Sequence, residues 1–249
     1  MKKKIIAFTL VAVMLAIAVV GGTLAYFTDD DAADNVFVMK GIDITLEEVF
    51  DEESAELIPD KKIEKIVNVS NAEHSTDAFV RVHIAIPSVL DDGNPSFAAV
   101  NNFLHFNFAI ESVADGMWSW NKTADGANYP GTGSDEWNFY TTEIDGIAYN
   151  VYVVTYETAL EPGEATAEAA ITQVYVDKSV KAEWDPEAEQ FVYVDTKGNT
   201  VLPEEFGADG GLMIKVLAEA AQAETFDTAH DALNTAFGVP GTAGYDPFN

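Results

Sequence analysis

The sequence predicts an all-β protein, a jelly-roll-like antiparallel β-sandwich with short helices, behind an N-terminal signal helix. Three observations carry this. Runs of alternating apolar and polar residues recur along the chain at strand length. Turn residues separate them, among them Asp145-Gly146, a two-residue hairpin signal. Helical periodicity is confined to two short segments.

The elements follow in order. Ile42, Ile44 and Leu46 alternate with Asp43, Thr45 and Glu47 in a half-buried strand. Residues 63–70 (IEKIVNVS) form a second strand, with β-branched Ile66 and Val67. In residues 78–87, Val80, Val82, Ile84 and Ile86 alternate with Phe79, Arg81, His83 and Ala85. Residues 96–104 read as a short helix after Pro95, with Phe97, Val100 and Leu104 on one face. Residues 105–111 repeat the strand pattern through Phe106, Phe108 and Ile110. Residues 115–136, rich in Gly, Asn and Asp, read as an elaborated surface loop, with Trp118, Trp120 and Trp137 in or beside it. Residues 137–144 and 147–157 flank the Asp145-Gly146 turn. Residues 170–177 and 191–194 are further strands. Residues 181–210 read as a hairpin insertion turning at Lys197-Gly198-Asn199, and residues 212–218 are the last strand. Residues 225–237 read as a helix, with Phe226, Ala229, Leu233 and Phe237 on one stripe and Gly238 and Pro240 as stop signals. About nine or ten short strands argue for a sandwich or jelly roll.

The N-terminus reads as an export signal. Lys2, Lys3 and Lys4 precede an apolar run from Ile5 to Val20, which falls short of the ~20 residues that span a bilayer. Thr23 and Ala25 then occupy the −3 and −1 positions of a cleavage site, so Tyr26 becomes the mature N-terminus. The expected organisation is a signal peptide over 1–25, a flexible segment over 26–38 and one β-sandwich domain over 39–249.

Composition excludes several functions. The chain has 249 residues, 13 Lys and Arg against 42 Asp and Glu, and a formal net charge of −29. Such a surface repels nucleic acid and anionic lipid, so membrane contact is expected only through the uncleaved signal. Apolar residues make up 48%, too many for a disordered acidic chain. Cysteine is absent, which removes disulfides, thiolate nucleophiles and Cys-based metal sites.

No catalytic constellation stands out. The histidines are His74, His83, His105 and His230, and no two lie at i, i+4 or in an HExxH helix. There is no GxSxG elbow and no P-loop; Gly131-Thr132-Gly133-Ser134 is turn chemistry. No cofactor is expected and no catalytic residue is assigned. With 42 acids, carboxylate pairs carry little information. Ca²⁺ is the one cation to weigh, at Asp29-Asp30-Asp31 with Asp34, at Asp91-Asp92, or at Asp195 with Asn199. A solvated acidic face is the preferred reading of all three.

Residues 21–29 (GGTLAYFTD) resemble the signal region of the TasA/camelysin family of Gram-positive bacteria. Residues 37–46 (FVMKGIDITL) are similar to that family's strand entry. Residues 65–84 are similar to its paired strands, through Asn68, Asn71, Ser75, Asp77, Ala78, Val80, Arg81 and Val82. Residues 216–237 resemble its terminal strand and helix. The resemblance is patchy over residues 87–210.

The resemblance implies a jelly-roll-like fold and processing by a dedicated signal peptidase. It also implies a secreted protein that polymerises with itself into extracellular biofilm matrix fibres, alongside other matrix proteins. In such assemblies the freed N-terminus adds as a strand to the next subunit. The expected donors are Tyr26, Phe27, Val36, Phe37 and Val38. The camelysin branch implies a secreted metallopeptidase, for which this sequence shows no zinc motif. A monomeric surface or matrix adhesin, using the tryptophan-bearing loop, is the alternative, although packing of Trp118, Trp120 and Trp137 into the sandwich core is the preferred reading of those residues.

Overall fold

The computed structural model describes residues 41–50, 58–91, 103–108, 117–120, 139–187, 189–201 and 213–248. All of them fall within the unit Lys40–Asn249. The expected helix over 96–104 lies outside these residues except at its end, where Leu104 belongs to a strand.

The fold is an antiparallel β-sandwich. Its strands are β1 (Ile44–Phe50), β2 (Ile63–Asn71), β3 (Ala78–Pro87), β4 (Leu104–Phe108), β5 (Trp118–Trp120) and β6 (Tyr140–Ile144). They continue with β7 (Ile147–Tyr156), β8 (Ile171–Val176), β9 (Lys181–Asp185), β10 (Gln190–Val194), β11 (Thr200–Val201) and β12 (Lys215–Gln222), followed by helix α1 (Ala229–Phe237). One sheet has the order β1-β2-β8-β4. The other has the order β12-β3-β7-β5, and β6 continues the β5 side along β7. A small third sheet, β11-β10-β9, hangs on the sandwich. The chain therefore switches sheets between β2 and β3, between β3 and β4, between β4 and β5 and again between β7 and β8, and it returns to the second sheet with β12.

The two large sheets share one core. Val67 and Val69 of β2, Phe106 of β4 and Ile171 and Val174 of β8 meet Val80, Val82, Ile84 and Ile86 of β3 and Tyr152 and Val154 of β7. Burying such side chains is worth about 1.5–3 kcal/mol each. The Asp145-Gly146 turn forms as expected. Both residues have positive φ (53° and 83°), and Ile144 pairs with Ile147, the geometry of a two-residue type I′ hairpin.

The second sheet is covered on both faces, and every residue of β3 is buried. On its outer face, Phe79 and Ala221 pack against Ala229, Ala232 and Leu233 of α1. Val239, Tyr245 and Phe248 of the following segment cover Ala85, Tyr149, Val151 and Val153. The helix is shorter than the expected 225–237. Thr228 is extended and its hydroxyl oxygen accepts the Asp231 N–H, so the helix starts at Ala229. The last strand runs to Gln222 rather than stopping at Ala218.

Residues 118–120 form a strand inside the expected 115–136 loop, and Trp118 packs into the core as the preferred reading of the tryptophans expects, while Trp137 and the Trp120 side chain lie outside the described residues. Trp118 sits in β5, 1% exposed, edge-on to Tyr156 at 4.8 Å, with its indole N–H donated to the Glu168 carbonyl. Burial of its ring and a satisfied polar handle make it a core residue. The insertion is a three-stranded sheet, and the expected turn at Lys197-Gly198-Asn199 joins β10 to β11.

Candidate functional site

Of the residues assigned to processing and assembly, Ala25, Tyr26, Phe27, Val36, Phe37 and Val38 lie outside the described residues. The described chain resumes at Gly41 and enters β1. Ser75 anchors this entry: its hydroxyl oxygen accepts the Asp43 N–H at 3.2 Å.

β1 is an edge strand. Among the described residues it pairs only with β2. Ile44 and Leu46 pack against the core while Thr45, Glu47, Glu48 and Val49 are exposed. β12 is the corresponding edge of the other sheet, paired among the described residues only with β3. Its Val216, Ala218 and Ala220 reach the same core yet stay half-buried. β1 and β12 lie close across the sandwich. One side of the molecule thus presents two strand edges flanking apolar side chains that are incompletely covered. Unpaired N–H and C=O groups along such edges accept an added strand.

A buried polar cluster fixes β12 from its outer side. Arg81 and His83 of β3 are fully buried, and Glu219 faces Arg81 in the β3–β12 register. One carboxylate oxygen of Glu219 accepts from Arg81 Nε, from His83 Nε2 at 3.0 Å and from the Tyr245 hydroxyl at 3.0 Å. Arg81 also donates to Asn234 Oδ1 at 2.9 Å and to the Gly238 carbonyl at 3.1 Å. Its guanidinium lies 5.3 Å from the Tyr245 ring centroid. Burial holds His83 below its ordinary pKa, so the ring is neutral at pH 7. Its Nε2 then donates to Glu219 while Nδ1 faces the Tyr140 hydroxyl at 3.5 Å. Burial alone would raise Glu219, but the His83 hydrogen bond and the Arg81 charge outweigh it and bring the carboxyl below its ordinary value.

Sequence reasoning placed Arg81 and His83 on a strand but did not find this cluster. The available signal was Glu219, a lone acid among Ala218, Ala220 and Ala221 in an apolar strand. Such a residue needs a buried base.

The other histidines sit apart. His105, buried in β4, donates to Asp177 at 2.6 Å and stacks on Tyr175. His74 is exposed beside Asp43. His230 of α1 places Nε2 at 2.8 Å from the Ser119 hydroxyl and 3.0 Å from a Glu157 oxygen. Serine and carboxylate share one ring nitrogen, whereas a relay needs one on each. Burial pushes Glu157 up, but its hydrogen bonds from His230 and Ser119 bring it below its ordinary value.

Each histidine therefore pairs with a different carboxylate, and no group of three His, Asp or Glu converges among the described residues. A zinc site, which needs three or four convergent ligands, does not fit these residues. Of the weighed Ca²⁺ positions, Asp195 spends its carboxylate on the N–H groups of Lys197 and Asn199 and on the Asn199 amide, each at 2.8 Å. Asp91 takes the Tyr152 hydroxyl at 2.7 Å and the Asn150 amide at 2.9 Å. Asp29, Asp30, Asp31, Asp34 and Asp92 lie outside the described residues. No helix among the described residues is long and apolar enough to cross a membrane.

Comparison with curated proteins and with solved structures finds no match. A family model does match: camelysin metallo-endopeptidase, over residues 1–86. That stretch spans the signal region, the β1 entry and the β2–β3 pair that carry the resemblance. Over these residues, about a third of the chain, the sequence is similar to the camelysin family.

Proposed function

We propose that the chain is a secreted structural subunit that polymerises into extracellular biofilm matrix fibres. A signal peptidase frees Tyr26, and residues 26–38 of one copy add as a strand to the next. The acceptor is the side of the sandwich between β1 and β12. The observation that supports this reading most is that opening, where half-buried Val216, Ala218 and Ala220 of an edge strand leave the core incompletely covered. Tyr26, Phe27, Val36, Phe37 and Val38 supply apolar side chains for it, each worth about 1.5–3 kcal/mol when buried. The match over residues 1–86 supports the family reading but not the polymer itself.

Negative-stain microscopy of two purified proteins at pH 4.5, one starting at Tyr26 and one at Met39, is the test. Fibres from the Tyr26 form alone support strand donation. Fibres from both keep the structural role and move the contact elsewhere. Absence of fibres from both removes unaided self-assembly and leaves the monomeric adhesin or assembly that needs a partner protein. Ala220→Lys in the Tyr26 form tests the acceptor: it places a charge at the β12 edge and blocks elongation if donation occurs there.

The family description favours one second reading, a metallo-endopeptidase. Chelator-sensitive cleavage of casein by the Tyr26 form would support it.

A further inference from the structure

Trp184 and Phe191 are the most exposed large apolar side chains among the described residues, at 56% and 57%. They are direct cross-strand partners in the β9–β10 hairpin, with rings edge-on at 5.3 Å. The face they share also carries Tyr193 and Val201, which pack on the core, Tyr193 against Phe103. The sandwich thus uses one end of this face, and the aromatic pair continues it into solvent.

The charge around the pair is one-sided. Between Lys181 and Lys197 the segment contains Glu183, Asp185, Glu187, Glu189 and Asp195; Glu187 and Glu189 lie in the turn next to the pair, Glu183 and Asp185 alternate with Trp184 onto the other face, and Asp195 is buried. Glu183, Glu187 and Glu189 are exposed. A water-exposed aromatic pair beside an acidic turn carrying Glu187 and Glu189 is complementary to a ligand with apolar and cationic groups side by side. Aromatic faces and edges receive an aliphatic side chain, and ammonium or guanidinium groups gain both from the rings and from the acids. A second copy of this chain is a poor occupant, because its net charge is −29.

We infer that the β9–β10 hairpin is a docking surface for a basic polypeptide segment, with Trp184 and Phe191 seating an aliphatic side chain and Glu187 and Glu189 pairing with neighbouring Lys or Arg. This surface is separate from the β1–β12 opening, so it stands whether or not the chain forms fibres.

The test uses the chain from Tyr26 and three synthetic decapeptides: alternating Lys and Leu, alternating Lys and Ser, and alternating Glu and Leu. Affinity is read by titration calorimetry in 0.15 M salt. The Lys–Leu peptide is expected to bind, the Lys–Ser peptide at least tenfold more weakly, and the Glu–Leu peptide not at all. Trp184→Ser with Phe191→Ser is expected to weaken the Lys–Leu complex at least tenfold. Glu187→Lys with Glu189→Lys keeps the aromatic pair, so it reports on the site even where the serine variant perturbs the hairpin, and it is expected to do the same. Equal binding by the wild type and both variants would mean diffuse attraction to an acidic chain and would overturn the inference. So would failure of the Lys–Leu peptide to bind, or self-association of the wild type that the serine variant abolishes.

Discussion

Arg81 and Glu219 face each other across the β3–β12 pair, in a site with almost no water access. The guanidinium has a second anchor in Asn234 of α1 and a third in the Gly238 carbonyl. One ion pair therefore ties an edge strand, a central strand and the C-terminal segment together. Burying two charges is costly, and the cost is met only while both partners and their hydrogen bonds are in place.

Glu219→Ala removes one partner and leaves Arg81 buried with its charge uncompensated. The expected loss is about 3–5 kcal/mol, read from urea unfolding of the Tyr26 form. Arg81→Met combined with Glu219→Leu removes both charges and is expected to recover most of that loss. A double variant as unstable as Glu219→Ala would show that the pair does more than balance charge.

Tyr245→Phe tests how the C-terminal segment is held. The hydroxyl donates to Glu219 and accepts from Arg81 at 3.0 Å, while the ring stays to cover the sheet. Its loss leaves buried polar groups short of a partner, at a cost of about 1–3 kcal/mol. Hydrogen exchange is expected to rise first in residues 239–248 and in the β6–β7 hairpin beneath them. Unchanged exchange there would mean that Val239 and Phe248 suffice to hold the segment.

Much of the sandwich is legible in the sequence, because strand periodicity and turn chemistry are local. The alternation in β3 and the Asp145-Gly146 hairpin both appear where they were read. What is not legible is the second cover of β3. Arg81 and His83 on an alternating strand look like a solvated face. They are buried because α1 and residues 238–248, about 150 positions downstream, fold over them. The strand that carries Trp118 was hidden for a different reason: it has three residues, and the loop composition around it swamps the pattern. The β1–β12 opening is a tertiary property as well, since the two strands are far apart in sequence.

Acid is expected to weaken the monomer. His83 has its pKa held down by burial. As pH falls below its ordinary 6.5, the unfolded chain takes up a proton that the folded one refuses, and stability declines. Arg81 of β3, Glu219 of β12, Tyr140 of β6 and Tyr245 of the C-terminal segment all face this ring. Glu219, Glu157 and Asp177 are held below their ordinary values, so their contribution is present above those values and lost as pH falls through the lowered ones. The melting temperature is expected to fall from pH 7 to pH 4. His83→Gln is expected to flatten the decline between pH 6.5 and 5 while leaving the steeper fall below it. The same slope in the variant would assign that decline to another group.

Fibre growth is expected to respond to acid in the opposite sense, which makes salt the cleaner lever. Asp29, Asp30, Asp31 and Asp34 lie inside the proposed donor, in a chain whose net charge is −29. Bringing donor and acceptor together repels until the carboxylates are protonated, screened or bound by Ca²⁺. Protonation at pH 4.5 relieves the repulsion but also draws on the buried cluster behind β12. Salt at pH 8 relieves it without changing the protonation of His83 or Glu219. The screening length falls from about 30 Å at 0.01 M to about 3 Å at 1 M. Elongation, followed by light scattering on seeded samples, is expected to be slow at pH 8 in low salt. It should quicken at least tenfold at 1 M sodium chloride, and millimolar Ca²⁺ should exceed sodium at equal ionic strength only if the aspartates bind it directly. Equal rates at pH 4.5 and pH 8 in low salt, with no response to added salt, would remove the acidic donor from the assembly step.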